Sequence, residues 1–437
     1  MKVLKFGGTS VGSAERMANV AKLVVDGQRK IVVLSAMSGT TNALVEISGY
    51  FTRGNNDGAA EIISSLQLKY NTLAEELLVQ PDSVQTAKQV IDDIFGLIRG
   101  FANHDFGHDE ENTVLAQGEI LSTNLFFLYI QELGVNTALL PALDYMRVNE
   151  NGEPIFAHVK KELTALLDQH ADKEIIITQG FICRNQEGHV DNLKRGGSDY
   201  SASIIGAAIA CTEIQIWTDI DGVHNNDPRF VENTRPLAEL SFDEAAELAY
   251  FGAKVLHPLS ILPAKMGNIP VRLKNTMQPD CKGTTISNDS PGVGVKAIAA
   301  KDGLTAIKIK SSRMLLAYGF LRKIFEIFEN YKTSIDMVTT SEVALSLTID
   351  NTTYLSQILD ELKNLGSVEV DTDQTIVCVV GNLIAEDKGY AADILQSLKD
   401  ISVRMISYGG SHHNISILID TANKQKALQL LHENLFK

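Results

Sequence analysis

The chain has 437 residues, more than one hydrophobic core usually serves, so two or three domains are expected. Its hydrophobic content of 44% and charged content of 21% are typical of soluble globular proteins. The net charge of −15 argues against a nucleic-acid partner, because binding a phosphate backbone needs clustered lysine and arginine.

The cysteines and the amino terminus indicate a cytoplasmic protein. The four cysteines are far apart and form no C-x-x-C pair, which suits a reducing compartment and gives no zinc signal. Glycines follow the amino terminus too soon for a signal peptide. The longest apolar run, 204–211, is too short to cross a bilayer, so no membrane partner is expected.

Short apolar strands alternate with helices from the start of the chain to about residue 295. The predicted strands are 3–6, 31–34, 174–178 and 214–217. The predicted helices are one with an apolar face formed by Met17, Val20, Ala21 and Val24, one at 199–210, and one opened by Ser241. This alternation predicts an α/β fold, with a mostly parallel sheet covered by helices on both faces.

After about residue 295 two segments, 303–350 and 372–420, share one layout. Each contains a strand, a helix and two further strands, and each ends in Ile-Asp. A second helix follows in both copies, at 354–365 and 424–435, but only the first copy has a closing strand, at 367–370. The layout predicts two small α+β domains that share or exchange strands.

The strongest local signal is Lys-Phe-Gly-Gly-Thr-Ser at 5–10, at the end of the first strand. Because the lysine precedes the glycines, the segment is not a Walker A loop. A bare Gly-Gly is more often an ordinary turn, but the whole hexapeptide is much rarer. Glycine amides and a helix start can approach an anion, and Lys5 supplies a charge for a transferring phosphoryl group.

Two further segments carry polar groups whose role the residues alone leave open. The loop 35–44 follows the second strand with hydroxyl and amide groups that suit either a polar ligand or a capped helix start. Glu119 opens a strongly apolar helix, where it serves either the helix dipole or the ammonium group of a ligand.

The second strong motif is Leu-Lys-Arg-Gly-Gly-Ser-Asp at 193–199. Arg195 is suited to holding a carboxylate through two hydrogen bonds. Ser198 lies just ahead of a helix amino terminus, and Asp199 suits both capping that helix and positioning a catalytic lysine.

The segment 217–229 is a strand end that runs into a polar turn. It suits a nucleotide about as well as it suits a solvated surface turn. In the nucleotide interpretation, Thr218 and Asp219 lie near the base and ribose, and Arg229 lies near phosphate. Lys254, within 251–258, is either a surface lysine or a group that reaches phosphate.

Taken together, these segments resemble the aspartate kinases, in order and at matching spacing. The resemblance covers essentially the whole chain. It implies an amino-acid kinase domain of the three-layer α/β/α, carbamate kinase-like type, followed by two α+β ACT domains of the ferredoxin-like type. The implied domains are 1–297, 298–371 and 372–437, with no homoserine dehydrogenase domain after them, so the monofunctional form is expected.

The resemblance implies that ATP, with Mg²⁺, phosphorylates L-aspartate at the start of lysine, threonine and methionine biosynthesis. The implied catalytic residues are Lys5 and Asp199, and no metal-binding side chain is assigned. The implied aspartate-binding residues are Ser35, Thr41, Glu119, Arg195 and Ser198. The implied ATP-binding residues are Lys5, Gly7, Gly8, Thr218, Asp219, His224, Arg229 and Lys254.

Two positions depart from the family pattern. Lys194 stands where the family often has glycine, which adds a charge beside Arg195. His224 stands where the nucleotide loop often has tyrosine.

The first ACT domain resembles the effector site of lysine-sensitive aspartate kinases. The implied effector residues are Met314, Gly319, Phe320, Leu321, Ser334, Asp336, Thr340, Ser341 and Glu342. Amides at a helix start suit the effector carboxylate, and two carboxylates suit the two ammonium groups of lysine better than threonine. Leu316 stands where lysine-sensitive relatives often have histidine. The ACT domains are expected to pair between subunits, in a homodimer or a tetramer.

Two alternatives remain at this stage. The first is a kinase of the same fold that acts on glutamate or acetylglutamate, against which the pairing of Glu119 with Arg195 and the ACT pair both argue. The second is a catalytically silent amino-acid sensor built around the ACT domains. Because Lys5, Arg195 and Asp199 are all intact, the sensor hypothesis is disfavoured.

Overall fold

The structure of the protein, a computed structural model, describes residues 1–194, 196–252, 256–289, 292, 294–314, 318–382 and 388–436. The chain forms two compact units. The first comprises Met1–Val223, Ala238–Phe242 and Leu256–Ser290, and the second comprises His224–Leu237, Asp243–Val255 and Pro291–Lys437. In the described part of the chain, no helix has both the length and the apolar content needed to span a bilayer.

The secondary structure follows the alternation expected of the first 295 residues. The helices are α1 Ala14–Val24, α2 Thr40–Thr52, α3 Asn56–Leu77, α4 Pro81–Gly100, α5 His108–Glu132, α6 Phe156–Gln169, α7 Gly197–Ala208, α8 Phe242–Tyr250, α9 Leu262–Met266, α10 Phe320–Asn330, α11 Leu355–Leu362, α12 Tyr390–Ser397 and α13 Lys424–Leu435. The strands are β1 Lys2–Phe6, β2 Lys30–Leu34, β3 Thr137–Leu140, β4 Ile175–Gln179, β5 Ile182–Arg184, β6 Val190–Asn192, β7 Glu213–Thr218, β8 Glu239–Ser241, β9 Val271–Asn275, β10 Thr284–Ser287, β11 Gly294–Lys310, β12 Met337–Thr340, β13 Ala344–Ile349, β14 Ser367–Asn382, β15 Val403–Ser407 and β16 Asn414–Asp420.

The first unit is built on an eight-stranded sheet in the order β3-β4-β2-β1-β7-β9-β10-β8. Neighbouring strands are parallel, except that β9 and β10 are antiparallel. Side chains alternate along β1, so Leu4 and Phe6 enter the core formed with α1 to α5, while Lys5 points to the opposite face and meets α7. The predicted α/β/α layering and mostly parallel sheet are therefore confirmed.

The position of β1 in the sheet gathers the functional loops. It pairs in parallel with β2 on one side and with β7 on the other, so that Phe6 lies opposite Leu34 and Trp217. The loops that leave these three strands consequently start at the same edge of the sheet. In open α/β sheets, ligands bind at such an edge, where the connections leave neighbouring strands in opposite directions.

The second unit contains a six-stranded antiparallel sheet in the order β12-β13-β11-β14-β16-β15. β11 and β14 are long strands that pair with each other from Gly294 opposite Asn382 to Lys310 opposite Ser367. β13 pairs with the later part of β11, whereas β16 pairs with the later part of β14. Each long strand therefore serves both repeats, and the closing strand predicted at 367–370 is the beginning of β14.

Each repeat has its own core. In the first, α10 and α11 pack on β11 and β13 through buried side chains such as Phe320 and Ile324. In the second, α12 and α13 pack on β14 and β16 through side chains such as Ile394 and Leu428. The sheet is thus continuous across the two repeats, while the apolar cores beneath it are separate.

Candidate active site

The glycine loop after β1 packs directly against the loop after β2. The Ser38 amide donates to the Gly8 carbonyl at 3.1 Å, and the Gly7 amide donates to the Trp217 carbonyl at 3.1 Å. A Cβ atom on Gly8 would lie 2.7 Å from the carbonyl oxygen of Ala36. Because any side chain at Gly8 would push the two loops apart, glycine is required there for backbone-to-backbone contact.

Lys5 and Asp199 form the charged centre of this edge. The Lys5 ammonium lies 2.6 Å from Asp199 Oδ1, and only 11% of the lysine side chain is exposed. Asp199 stands in the first turn of α7, whose amino terminus begins at Gly196 with φ of +71°. A buried lysine held by a carboxylate in this way is oriented as well as charged.

Glu119 is buried in the middle of α5, at 4% exposure. The prediction that it opens a helix is wrong, because α5 begins eleven residues earlier, at His108, so Glu119 does not serve the dipole at the helix start. Its Oε1 accepts from the Ala36 amide at 3.0 Å, while its Oε2 has no hydrogen-bond partner among the described residues. Burial raises the pKa of Glu119 to about 8, although the Ala36 amide and Lys5 both act to lower it. A buried carboxylate with an unused oxygen is suited to receiving an ammonium group, which would favour its charged form.

A cleft of about 410 Å³ brings these groups together in the first unit. The predicted site residues that line it are Lys5, Gly8, Ser35, Thr41, Glu119, Ser198 and Asp199. Lys194, singled out as a departure from the family pattern, lines it as well. Arg195 and Lys254 lie outside the described residues.

The residues predicted for the nucleotide divide between the two units. Thr218 and Asp219 follow β7 at the sheet edge, and the Thr218 hydroxyl donates to Asp219 Oδ1 at 3.1 Å. Arg229 belongs to the second unit, where its guanidinium holds Asp227 through bonds of 2.9 and 2.6 Å. His224, also in the second unit, contacts the Thr234 hydroxyl through Nδ1 at 3.0 Å.

Two supporting residues were not among the predicted ones. The Ser122 hydroxyl donates to the Ser35 carbonyl at 2.8 Å, so α5 supports the second loop one turn after Glu119. The Thr276 hydroxyl lies 2.7 Å from that of Ser10, and both are buried. Ser122 lies three residues after Glu119 on the same helix face, and this spacing could have indicated its supporting role. Thr276 is remote in sequence from Ser10, so no local pattern could have indicated their contact.

The described residues offer no ready-made metal site. Among them, no group of three or more His, Cys, Asp or Glu side chains is placed to hold a metal ion. In the cleft, Asp199 is paired with Lys5, and Glu119 is enclosed by protein.

Comparison with known proteins places the chain in a family. The amino acid kinase family matches residues 1–275, and the ACT domain matches residues 377–435. Lysine-sensitive aspartokinase 3 of Escherichia coli (strain K12) is 33% identical, with 100% of this chain and 99% of the relative covered. The chain belongs to the amino acid kinase family, among its aspartokinases.

A plant relative and a crystal structure of E. coli aspartokinase III agree with this assignment. Aspartokinase 3, chloroplastic, of Arabidopsis thaliana is 35% identical, with 100% of this chain and 81% of the relative covered. The crystal structure of E. coli aspartokinase III in complex with aspartate and ADP (R-state) matches with a TM-score of 0.86 and 32% identity, covering 100% of both chains. The predicted combination of an amino-acid kinase fold with ACT domains is confirmed.

Most residues predicted for the effector line a second cleft, of about 410 Å³, within the second unit. They are Met314, Gly319, Phe320, Leu321, Thr340, Ser341 and Glu342. Gly319 precedes α10 with φ of +78°, so the first amides of that helix are placed beside the cleft. Ser334 is exposed and lies outside the described lining of this cleft, and Leu316 lies outside the described residues.

Asp336 lies elsewhere in the second unit, and one of its two carboxylate oxygens is already occupied, while its buried Oδ2 has no hydrogen-bond partner among the described residues. Its Oδ1 accepts from the Lys301 ammonium and from the Tyr250 hydroxyl, each at 2.7 Å. Lys301 also pairs with Asp350 at 2.9 Å and lies 4.7 Å from the centre of the Tyr250 ring. An internal lysine therefore holds the group that the sequence suggested for the effector's ammonium.

The first testable prediction concerns the pH dependence of stability. In the unfolded chain Glu119 ionises near its ordinary pKa of 4.5, but in the folded protein it ionises near 8. Folding is therefore opposed by the cost of charging Glu119, and the parent loses stability as pH rises from about 4.5 to about 8. We expect Glu119→Gln not to lose this stability. The Tm of the variant minus the Tm of the parent should therefore increase as pH rises across this interval, and it should stay constant above it.

The measurement is a series of thermal melts across the interval, with Glu61→Gln on the exposed side of α3 as a control for generic charge removal. A constant difference in Tm between Glu119→Gln and the parent, independent of pH, would contradict the assignment of a raised pKa to Glu119.

Proposed function

We propose that the protein transfers the γ-phosphoryl group of ATP to the side-chain carboxylate of L-aspartate, giving ADP and 4-phospho-L-aspartate. The observation that carries this proposal is a single cleft lined by a buried lysine–aspartate pair and a buried glutamate, in a chain that belongs to the aspartokinases. The reaction would open the biosynthesis of lysine, threonine and methionine. We also propose the domain boundaries 1–297, 298–371 and 372–437.

On the substrate side, Glu119 would bind the ammonium group of aspartate through the carboxylate oxygen that has no partner among the described residues. Because Glu119 is largely protonated near neutral pH, binding an ammonium ion there should be accompanied by release of a proton. Ser35, Thr41 and Ser198 line the same cleft and would hold the carboxylates. Arg195 would bind the α-carboxylate through its planar fork.

On the phosphate side, Lys5 and the amides of Gly7 and Gly8 would bind the transferring group. Lys5 is well placed for this, since it stands at the end of β1 beside the glycine loop and is held by Asp199. The nucleotide would be completed by Thr218, Asp219, His224, Arg229 and Lys254. Magnesium held with the nucleotide would supply neutralisation of the phosphate charge, and no described side chain is assigned to hold it.

The chemistry needs no general base, because the aspartate side chain is already ionised at neutral pH. One carboxylate oxygen attacks the γ-phosphorus, the bond to the bridging oxygen of ADP breaks, and ADP leaves with that electron pair. The obstacle is repulsion between two anions. A lysine fixed by Asp199 in a protected cleft opposes this repulsion without reorganising during the reaction.

The deciding experiment compares ATP turnover with aspartate, glutamate and acetylglutamate, with the acyl phosphate trapped by hydroxylamine. We expect trapped product with aspartate and little or none with the other two acids. Equal or better turnover with glutamate or acetylglutamate would show that this acid, and not aspartate, is the substrate. No turnover with any of the three would favour the silent-sensor hypothesis.

For Lys5→Ala we expect kcat to fall by about 10²–10³-fold, with much smaller changes in both KM values, because Lys5 acts mainly as charge develops on the transferring group. Steady-state kinetics of the purified variant measures this. Lys160→Ala, an exposed lysine on α6, is the matched control. Near-normal turnover by folded Lys5→Ala would remove the residue from the catalytic centre.

For regulation we propose lysine as a feedback inhibitor bound in the second cleft. The relative from E. coli is named as lysine-sensitive, which supports this effector. The α10 amides would bind the carboxylate of lysine, Glu342 would bind an ammonium group, and Thr340 and Ser341 offer neutral hydrogen bonds. Exposed apolar side chains nearby, among them Tyr318 and Val343, would pack between subunits in a homodimer or tetramer.

The prediction is that lysine inhibits, that threonine does so less or not at all, and that Glu342→Gln weakens lysine inhibition. The measurement is a titration of kinase activity with each amino acid. Glu329→Gln, exposed at the end of α10, serves as the control. Inhibition by threonine alone, or an unchanged response to lysine in Glu342→Gln, would show that the effector or its site is wrongly assigned.

A further inference from the structure

Lys194 adopts a backbone conformation that disfavours a lysine. Its φ is +57°, in the left-handed region where a side chain costs energy and glycine does not. The Lys194 amide donates to Asn192 Oδ1 at 3.1 Å, and its carbonyl accepts from the Gly197 amide at 3.1 Å. The turn is therefore enforced by its neighbours, and a strained residue that persists in such a turn calls for a functional reason.

The turn that holds Lys194 is anchored to the helix that carries Glu119. Asn192 Nδ2 donates to Asn112 Oδ1 at 2.7 Å, and both side chains are buried. Asn112 and Glu119 stand seven residues apart on α5, which is about two turns and therefore nearly the same face. The loop around Lys194 and the carboxylate of Glu119 thus share one rigid support.

The side chain of Lys194 is available to a ligand. It lines the cleft and is 63% exposed, and among the described residues it makes one distant contact, 3.5 Å from Nζ to Asp191 Oδ1. That oxygen also accepts from the Asn192 amide at 2.7 Å, so Asp191 Oδ1 has a hydrogen-bond partner without Lys194. The described lining of the cleft contains one other cation, Lys5, which Asp199 holds at 2.6 Å.

We propose that Lys194 is a second substrate-binding cation, whose ammonium contacts the α-carboxylate of aspartate together with the proposed Arg195. The inference rests on the proposed function. The α-carboxylate and the ammonium group of aspartate share one carbon atom, so the cation for the first must lie near the anion for the second. The common support on α5 meets that requirement for Lys194 and Glu119, whereas Lys5 is committed to the glycine loop and the phosphate.

The inference predicts a selective loss of affinity. In Lys194→Met, which keeps the backbone strain and the side-chain bulk but loses the charge, the KM for aspartate should rise about tenfold, the effect of one charge-assisted contact. The inhibition constant of succinate, which keeps both carboxylates and lacks the ammonium group, should rise similarly. That of the α-amide of L-aspartate, whose α-group is neutral, should change less than about twofold, as should kcat and the KM for ATP.

Two further variants separate charge from strain. Lys194→Arg restores a cation and should return the KM for aspartate close to the parental value. Lys194→Gly removes both charge and strain, so it should show the same loss of aspartate affinity with a Tm no lower than the parent's, because relief of strain offsets the extra entropy of glycine in the unfolded chain. Lys332→Gly, at an exposed lysine with φ of +48°, controls for strain release, and Lys160→Met controls for loss of a surface charge.

The outcomes are distinguishable from failure of the proposed function, because the parent's turnover of aspartate is measured first in the same series. If the parent phosphorylates aspartate and Lys194→Met leaves its KM unmoved, the inference is wrong while the function stands. A fall in kcat or a rise in the KM for ATP, without a change for aspartate or succinate, would move Lys194 to the phosphate side. A higher Tm with unchanged aspartate affinity in Lys194→Gly would mean that the lysine is merely tolerated.

Discussion

The buried contact between Lys5 and Asp199 is the interaction on which the cleft depends. Removing two charges from water is costly, and a short ion pair offsets that cost only when both partners are held in place. The register of β1 between β2 and β7 fixes the lysine, and the start of α7 fixes the aspartate. The loops after β1 and β2 enclose the space beside the pair. Asp199 therefore orients Lys5, and the two loops keep Lys5 out of bulk solvent.

Glu119 shows how a second charge is prepared differently in the same space. Lys5 meets its counterion within the protein, whereas Glu119 has a single backbone amide and a raised pKa. A group of this kind is costly to ionise alone and favourable to ionise beside a ligand cation. In the cleft, the charge of Lys5 is therefore neutralised by the protein itself, whereas the charge of Glu119 would be neutralised by a cationic ligand. This difference favours an amino acid over a simple dicarboxylate.

Much of this arrangement could be predicted from local sequence. The strands β1 and β2 are apolar runs that end at glycine or serine, and α13 was predicted with its observed bounds, Lys424–Leu435. The role of Glu119 could not be decided in the same way, because its burial comes from packing against the loop after β2. A Cβ atom on Gly118 would lie 2.8 Å from Ala36 Cβ, so this approach of helix and loop depends on a contact across the fold.

Asp336 marks the limit of prediction from motifs in the regulatory half. Its sequence neighbours suggest an effector ligand, but its partners, Lys301 and Tyr250, come from β11 and α8. Nothing in the local pattern around Asp336 indicates either of them. Similarly, the repeated layout predicts two α+β domains, whereas only the pairing of β11 with β14 over their whole length shows that the two repeats form one sheet.

The helix α8 connects the sheet of the second unit, along the chain, to segments that are proposed to bind the nucleotide. It follows β8 of the first sheet and precedes the segment that contains Lys254, yet most of it belongs to the second unit. Three side chains of α8 contact that unit: Glu244 pairs with Lys296 at 3.0 Å, Glu247 accepts from Asn414, and Tyr250 donates to Asp336.

The contacts of α8 with the second unit limit how an effector could alter the proposed ATP-binding residues. A ligand changes a distant site only if it binds two arrangements with different affinity. An ammonium group that competed with Lys301 for Asp336 would also disturb the Tyr250 hydroxyl bonded to the same oxygen atom. Tyr250 ends α8 four residues along the chain from Lys254, a proposed ATP ligand, so such a disturbance would begin close to it in sequence. An effector confined to the second cleft has no such direct route, since the lining described for that cleft includes neither Asp336 nor Tyr250. It would have to act through the sheet that both repeats share.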